Sequence, residues 1–233
     1  MKKYAILTSN SKRHAYFANK ISEFFNVNLV IIEEKEKLKG RSLIRENDFF
    51  SQYQHVGHSI TVPQGCINAD KIRDALRKSK IDIAFVFGTG ILKKEIIDTA
   101  NECMINVHTG LTQHYRGVDS TFWAFYNDDI DKIGSTIHLV NRGIDTGRII
   151  YQVKPVIKAC DDPDTIFMRL CKDSTDKICK HQQEIESGIY NFLNVKPAGK
   201  LYNIRDKKPY HVSVVEENFK SRIERFLNVE KNS

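Results

Sequence analysis

The chain has 233 residues and a formal net charge of +7, from 36 Lys and Arg against 29 Asp and Glu, with 41% hydrophobic residues. This composition permits the core of one generous domain, or of one domain with a small appendage. No apolar run approaches the roughly eighteen residues of a membrane span, and the basic residues are spread out rather than clustered. We therefore expect neither a membrane nor a nucleic-acid partner.

The cysteines and the N-terminal residues predict the cellular compartment of the protein. Five cysteines are odd in number and contain no Cys-x-x-Cys pair, which predicts reduced thiols and no zinc or other metal site. The first apolar stretch is only as long as a strand, so we expect no signal peptide and a cytoplasmic location.

The first half of the chain alternates between strand and helix patterns. Apolar runs predict strands over 3–7 and 27–32, with a helix over 13–25 between them. The charged stretch 33–57 lacks periodicity and predicts an exposed helix or a mobile excursion. Two further predicted strands lie at 56–62 and 81–87, separated by a helix at 69–79 with Asn68 as its cap. This alternation favours an α/β fold with a mostly parallel, twisted sheet and helices on both faces.

The second half continues the pattern and then changes character. The predicted elements are a short helix at 93–99, a strand ending at 106–108, strands at 135–140 and 149–157, a long helix at 164–186 capped by Asp164, and a terminal helix at 213–227. Residues 197–202 predict a loop, and residues 203–209 are polar and basic. We divide the chain into a catalytic domain, 1–195, and a C-terminal appendage, 196–233.

Three polar side chains form the candidate catalytic group. Asn106 and His108 lie two residues apart at the end of a predicted strand, which places them on the same face. Asp145 lies in the turn 143–147 between two strands and can be brought back over a neighbouring strand end. An amide, a histidine with a pKa near neutrality and an acid together suit acyl transfer.

The order and spacing of motifs around these residues resemble the folate-dependent formyltransferase family. The resemblance is carried by Asn106-Val107-His108, Tyr115-Arg116-Gly117, Trp123, Gly134-Ser135-Thr136-Ile137-His138 and Asp145-Thr146-Gly147-Arg148-Ile149. It is clearest from 85 to 152. The resemblance implies a Rossmann-like formyltransferase fold, 10-formyltetrahydrofolate as co-substrate and a primary amine as acceptor.

The resemblance also implies roles for the three side chains. Asn106 and protonated His108 would stabilise the negative charge that develops on the formyl oxygen when the amine attacks. Asp145 or His108 would accept the amine's proton, and the sequence leaves open which of them is the base.

Two sets of binding residues follow from the same resemblance. The predicted folate-binding residues are Phe87, Gly88, Thr89, Gly90, Ile91, Leu92, His138, Val140 and Gly143. The predicted acceptor-binding residues are Ser9, Asn10, Lys12, Arg13, His14, Tyr115, Arg116 and Trp123. Several have a structural alternative: His138 as a hydrogen-bonded sheet residue, Tyr115 and Trp123 as core, and 12–14 as a solvated helix start.

The acceptor class is predicted by comparison within the family. Residues 9–14 lack the glycine-rich phosphate loop of the enzymes that formylate a phosphoribosyl amine, and the chain length leaves no room for the extra C-terminal domain of the initiator-tRNA enzymes. The chain is most similar to the small sugar-nucleotide N-formyltransferases, which implies a nucleotide-linked dideoxy amino sugar as acceptor, surface glycan (O-antigen, lipopolysaccharide) biosynthesis and a homodimer. The same resemblance implies dimer or substrate contacts for the appendage 196–233. Phosphoribosylglycinamide formyltransferase and a non-catalytic folate-binding relative are the alternatives.

Overall fold

The structure, a computed structural model, describes residues 1–55, 57 and 59–231. Within these residues the chain forms nine strands, eight α-helices and two short 3-10 helices. The strands are β1 (Tyr4–Ser9), β2 (Val27–Glu33), β3 (Ser59–Val62), β4 (Ile83–Val86), β5 (Cys103–His108), β6 (Tyr115–Gly117), β7 (Ser135–Leu139), β8 (Ile149–Val153) and β9 (Lys200–Tyr202). The helices are α1 (Lys12–Phe24), α2 (Gly40–Phe50), α3 (Asp70–Ser79), α4 (Lys94–Ile97), α5 (Ser120–Tyr126), α6 (Pro163–Lys180), α7 (Gln182–Ser187) and α8 (Pro209–Lys231).

Seven strands form one sheet in the order β3-β2-β1-β4-β5-β7-β8. The first five are parallel, and β7 and β8 extend the sheet as antiparallel strands. This arrangement confirms the predicted mostly parallel α/β fold. The chain moves outward from β1 to β3 and then returns to place β4 on the other side of β1. Such a reversal of strand order opens a crevice at the carboxyl ends of β1 and β4, where open α/β sheets bind ligands.

The sheet is buried on both faces. Tyr4 and Ile6 of β1 pack in the cluster that also contains α1 and α6, whereas Ala5 and Leu7 pack in the cluster that contains α3. Because successive side chains of a strand point to opposite faces, two apolar layers require the near-continuous apolar runs seen in the sequence.

The C-terminal segment builds a third cluster. Strand β9 pairs with β6 in a separate two-stranded sheet, and α8 places Val215, Phe219 and Ile223 against the aromatic residues of α5. The sequence predicted a loop at β9, and that prediction is wrong because a three-residue strand carries too little periodicity to be recognised. The domain boundary at 195 stays a prediction.

Other local predictions needed correction. The stretch 33–57 contains a helix, α2, which was one of its two predicted alternatives, but this helix is not exposed throughout because Phe50 is fully buried in the main core. Val56 and His58, at the start of the strand predicted over 56–62, lie outside the described residues. Asp162, not Asp164, caps α6 by accepting the Thr165 backbone N–H at 2.7 Å. No described helix is both long enough and apolar enough to cross a membrane.

Candidate functional site

A pocket of about 280 Å³ opens at the carboxyl edge of the sheet. Its walls come from the loop 87–92 after β4, the ends of β5 and β7, and the turn 141–145. The pocket brings together all three predicted catalytic residues and all nine predicted folate-binding residues. These residues are separated by up to 58 positions in the chain and meet because their strands end side by side.

The loop after β4 forms one wall through its backbone. Gly88 has a φ of +79° and lies against the buried His14 ring, where a Cβ would be 2.2 Å from Nε2, so only glycine fits. At the other end of the loop, Asn68 donates to the Ile91 carbonyl and accepts the Lys93 N–H. Asn68 therefore tethers this loop. The prediction that Asn68 caps α3 is wrong, because Ala69 occupies the cap position.

Asn106, His108, His138 and Asp145 form a contiguous group, which we call the strand-end cluster. Asn106 is paired with His138 across β5 and β7, and Asn106 Nδ2 lies 3.1 Å from His138 Nε2. Asp145 lies between the two histidines: Oδ2 is 3.4 Å from His108 Nδ1 and Oδ1 is 3.5 Å from His138 Nε2. The cluster thus joins an amide, two imidazoles and one carboxylate at the edge of the pocket.

The position of Asp145 is strongly constrained. Its backbone adopts a left-handed conformation with φ +52°, and its Oδ2 accepts the Gly117 backbone N–H at 2.8 Å. The turn continues into Gly147, where a Cβ would collide with the Leu139 carbonyl at 1.6 Å. Although burial opposes the charge, His108, His138 and the Gly117 N–H together lower the pKa of Asp145 to about 2. The carboxylate is ionised throughout the neutral range.

His108 is held at both ring nitrogens. Nε2 lies 3.2 Å from the Tyr115 carbonyl, which requires a proton on Nε2, and Nδ1 faces Asp145. Burial lowers the pKa of His108 below its usual value, and the Asp145 carboxylate opposes that effect. His108 is therefore mainly neutral at pH 7 but lies beside a carboxylate that stabilises its protonated form.

His138 has a different set of partners. Its Nδ1 lies 2.8 Å from the Leu139 carbonyl and must donate to it, so in the neutral ring Nε2 accepts the Asn106 N–H. The sequence predicts His138 as a folate-binding residue or as a hydrogen-bonded sheet residue. The structure shows it hydrogen-bonded in the sheet and lining the pocket, and its folate-binding role stays a prediction. Its contact with Asn106 could have been expected from a β5–β7 pairing, but a sequence does not reveal strand register.

The N-terminal loop, 9–14, lies at the same edge of the sheet but does not line the pocket. Nδ1 of the buried His14 contacts both the Ser9 and the Ser11 hydroxyls. Arg13 forms an ion pair with the buried Glu46 of α2 at 2.6 Å. Asn10 is hydrogen-bonded to the backbone of Lys35, and Lys12 donates to Asn47 at 2.8 Å. The acceptor-binding role of these residues stays a prediction.

The other predicted acceptor residues lie behind the pocket wall. Tyr115 is buried and donates its hydroxyl to Asp129 at 2.5 Å, and Arg116 donates to the Gly199 carbonyl. Trp123 is 3% exposed and stacks on Tyr202 with ring centroids 4.3 Å apart. This packing matches the structural alternative for Tyr115 and Trp123, and their acceptor-binding role stays a prediction.

The C-terminal segment contributes three residues to the pocket that the sequence did not identify individually. Leu201, Tyr202 and Asn203 line the pocket, together with Val118 from the loop after β6. Arg142 also lies at this wall and is exposed. Only the pairing of β9 with β6 brings 201–203 to the pocket, and no motif in the sequence indicates that pairing.

Comparison with known proteins identifies a family and a fold. A family model described as formyl transferase matches residues 2–180. A methionyl-tRNA formyltransferase of Borreliella afzelii (strain PKo) is 27% identical over 188 residues, which are 80% of this chain and 58% of that protein. The chain thus spans little more than half the length of this curated relative.

Two solved structures share the fold over most of the chain. A sugar N-formyltransferase from Shewanella sp FDAARGOS_354 superposes with a TM-score of 0.63 at 19% identity, covering 91% of this chain and 86% of that one. The formyltransferase PseJ from Anoxybacillus kamchatkensis, solved with UDP-4,6-dideoxy-4-formamido-L-AltNAc and tetrahydrofolate, superposes with a TM-score of 0.58 at 18% identity, covering 95% and 96%. At these identities the likeness establishes the fold.

Proposed function

The chain belongs to the formyl transferase family, and we propose that it transfers a formyl group from 10-formyltetrahydrofolate, the donor of this family, to the primary amine of a nucleotide-linked amino sugar. The observation that carries the proposal is the strand-end cluster, which places Asn106, His108 and Asp145 in one pocket beside a glycine-containing loop. Surface glycan biosynthesis, a cytoplasmic location and a homodimer are parts of the same proposal.

The pocket has features that suit the ring system of a folate. Its volume of about 280 Å³ is close to the lower end for small-molecule sites. Apolar side chains, including Leu92 and Val140, provide surfaces for a flat ring, and the backbone of 88–92 offers polar groups at short range. When bound, the folate would supply an activated formyl carbon to the amine.

The strand-end cluster would stabilise the negative charge on the formyl oxygen and transfer protons between the amine and the folate nitrogen. The Asn106 carboxamide would donate to the formyl oxygen as it becomes negative, and so would His108 once it has taken up the amine's proton; preorganised donors of this kind are each worth roughly 10²–10³ in turnover. As the new C–N bond forms, the amine loses a proton and the departing folate nitrogen gains one. His108 suits this transfer because burial lowers its pKa, so that the imidazole is neutral and able to accept a proton, whereas the Asp145 pKa of about 2 makes Asp145 a weak base. We assign Asp145 to stabilising the imidazolium.

A nucleotide-linked acceptor is supported by the chemistry of the N-terminal loop. The loop has no glycine, so its backbone cannot approach a monophosphate closely. Arg13 is neutralised by Glu46, whereas Lys12 donates to the neutral Asn47 amide and pairs with no carboxylate among the residues that the structure describes. The Lys12 ammonium therefore keeps a charge available to a diphosphate near the crevice.

Initiator methionyl-tRNA is the second candidate acceptor. The observation that favours it is the sequence similarity, because the curated relatives matched by the chain include methionyl-tRNA formyltransferases. The charge of +7 is also compatible with an RNA substrate, although a small folate or sugar nucleotide is an anion as well.

The test is a panel of acceptors offered with 10-formyltetrahydrofolate, with release of tetrahydrofolate followed by absorbance. The panel contains nucleotide-linked 3-amino and 4-amino sugars, initiator methionyl-tRNA and glycinamide ribonucleotide. We expect turnover with one of the amino sugars. Turnover only with the tRNA or only with the ribonucleotide would replace the proposed acceptor, and folate binding without turnover on any acceptor would favour the non-catalytic alternative.

A further inference from the structure

Glu33, at the end of β2, is a fully buried carboxylate that the proposed chemistry does not use. Its side chain is 0% exposed. A carboxylate without partners at such a site would be strongly destabilising. The groups that bind Glu33 therefore show which parts of the structure it holds together.

The partners come from three loops. Oε2 accepts the Gly90 backbone N–H at 2.6 Å, Oε1 accepts the Gly65 backbone N–H at 2.8 Å, and Lys35 Nζ lies 2.9 Å from Oε2. Gly90 follows β4, and Gly65 follows β3, so one side chain joins loops from two strands that are not neighbours in the sheet. We call this arrangement the Glu33 clamp.

The Glu33 clamp binds the loop 87–92, which forms one wall of the pocket. Gly90 lines the pocket, and a Cβ added to it would lie 3.4 Å from both Glu33 oxygens. The loop 87–92 contains two glycines and would otherwise have high backbone freedom. A hydrogen bond to a charged acceptor is stronger than one between neutral groups, so the clamp restricts this loop at the point where it faces the ligand.

We propose that Glu33 is a positioning residue for donor binding: its carboxylate fixes the backbone of 88–92 in the shape that receives the folate ring. This inference rests on the proposed function, because that function places the folate against 88–92. A loop fixed before binding loses less conformational entropy when the ligand arrives, and affinity rises accordingly.

The test compares Glu33→Gln with a matched control, Asp161→Asn. Gln keeps the size of Glu33 but replaces one oxygen with an NH2 group, so one of the two glycine N–H groups loses its acceptor. Asp161 is a similarly buried carboxylate, with a 2% exposed side chain, that accepts the Lys158 N–H and pairs with Arg169 but does not line the pocket. Both variants lose a buried charge, and only the first releases the pocket loop.

Two measurements are made on the full chain. The first is the affinity for 5-formyltetrahydrofolate, a stable folate probe, by calorimetry. The second is hydrogen exchange of a peptide covering 87–92 without ligand. We expect Glu33→Gln to weaken probe binding by at least about tenfold and to speed exchange at 87–92 by a similar factor. Asp161→Asn should stay within about twofold of the wild type in both.

The outcomes separate the clamp from the proposed function. Probe affinity unchanged in Glu33→Gln, or weakened equally in Asp161→Asn, would overturn the positioning role, as would unchanged exchange at 87–92. If the wild-type protein fails to bind the probe, the proposed function fails. The exchange measurement needs no ligand and still supports or overturns the clamp.

Discussion

Two polar groups lie at the same carboxyl edge of the sheet and have different surroundings. The strand-end cluster, at β5 and β7, faces the pocket, and its four side chains contact one another at 3.1 to 3.5 Å. The N-terminal loop, after β1, also offers a histidine, an asparagine and cations, but α1 and α2 surround it and most of its side chains bind protein groups. Both groups have polar residues suited to catalysis or binding, and of the two it is the strand-end cluster that lines the pocket of about 280 Å³.

The difference shows which property makes a polar group functional. In the N-terminal loop, most polar side chains are bound by protein neighbours, as stability requires, and among the loop's described side-chain atoms only Arg13 Nε is buried without a hydrogen-bond partner. In the strand-end cluster, Asp145 lies between two histidines and has a left-handed backbone conformation, which costs free energy and is typical of functional sites. Substitutions in the two groups should therefore differ greatly in their effect on turnover.

Removal of either proposed oxyanion donor should have the largest effect. We expect Asn106→Ala and His108→Ala each to lower kcat by roughly 10²–10³, because each removes a preorganised donor to the formyl oxygen. Circular dichroism and 5-formyltetrahydrofolate binding should remain close to wild type. Steady-state kinetics with the acceptor found in the panel measures the effect, and near-normal turnover in either variant would remove the proposed mechanism.

Neutralising Asp145 should also lower turnover strongly. Asp145→Asn keeps an acceptor for the Gly117 N–H, and Asn tolerates the left-handed φ of +52°, so the turn should be retained. The loss of charge removes the partner that stabilises protonated His108, and we expect kcat to fall by about a hundredfold.

Asp161→Asn serves as the control for Asp145→Asn, because it removes a buried carboxylate outside the pocket. Its kcat should lie within about twofold of the wild type. A similar loss in both variants would show that the effect arises from general destabilisation.

The pKa of Asp145 predicts how stability depends on pH. Because its folded-state pKa of about 2 lies below the usual 3.8, its contribution to folding is complete above about pH 5 and is lost as the pH falls towards 2. The shift corresponds to about 2 kcal/mol of the free energy of unfolding. The free energies of unfolding of the wild type and of Asp145→Asn, measured with urea, should therefore approach each other by this amount between pH 5 and pH 2. A difference that stays constant over this pH range would contradict the lowered pKa of Asp145.

The smallest effect is expected in the N-terminal loop. Lys12→Gln should raise the acceptor KM about three- to fivefold and leave kcat unchanged, because one partly exposed charge contact to phosphate contributes on the order of 1 kcal/mol. Lys20→Gln is the control, since Lys20 lies on the same helix and pairs with Glu23. A KM unchanged in Lys12→Gln, or raised equally in both variants, would show that this loop is structural throughout.

Much of the fold was predictable because its signals are local. The strands β1, β2, β4 and β5 were recognised from apolar runs that a doubly covered sheet requires, and α1 and α3 from helical spacing. The strand β9 was not recognised because it has only three residues and its partner, β6, lies far away in the chain. The break between α6 and α7 at His181 was not predicted either, and element ends differed by a few residues, as in α4.

The sequence by itself determined the chemistry available to this protein: the asparagine and histidine two residues apart on a strand, the carboxylate in a glycine-flanked turn, and the glycines of the loop after β4. Their types and spacing are local properties of the chain and identify a formyltransferase pattern. The tertiary structure decided which of these groups meet. The β5–β7 register places His138 against Asn106, the Glu33 clamp joins two loops 25 residues apart, and β9 brings 201–203 to the pocket. These contacts depend on strand order and register, which are set by packing of the whole chain.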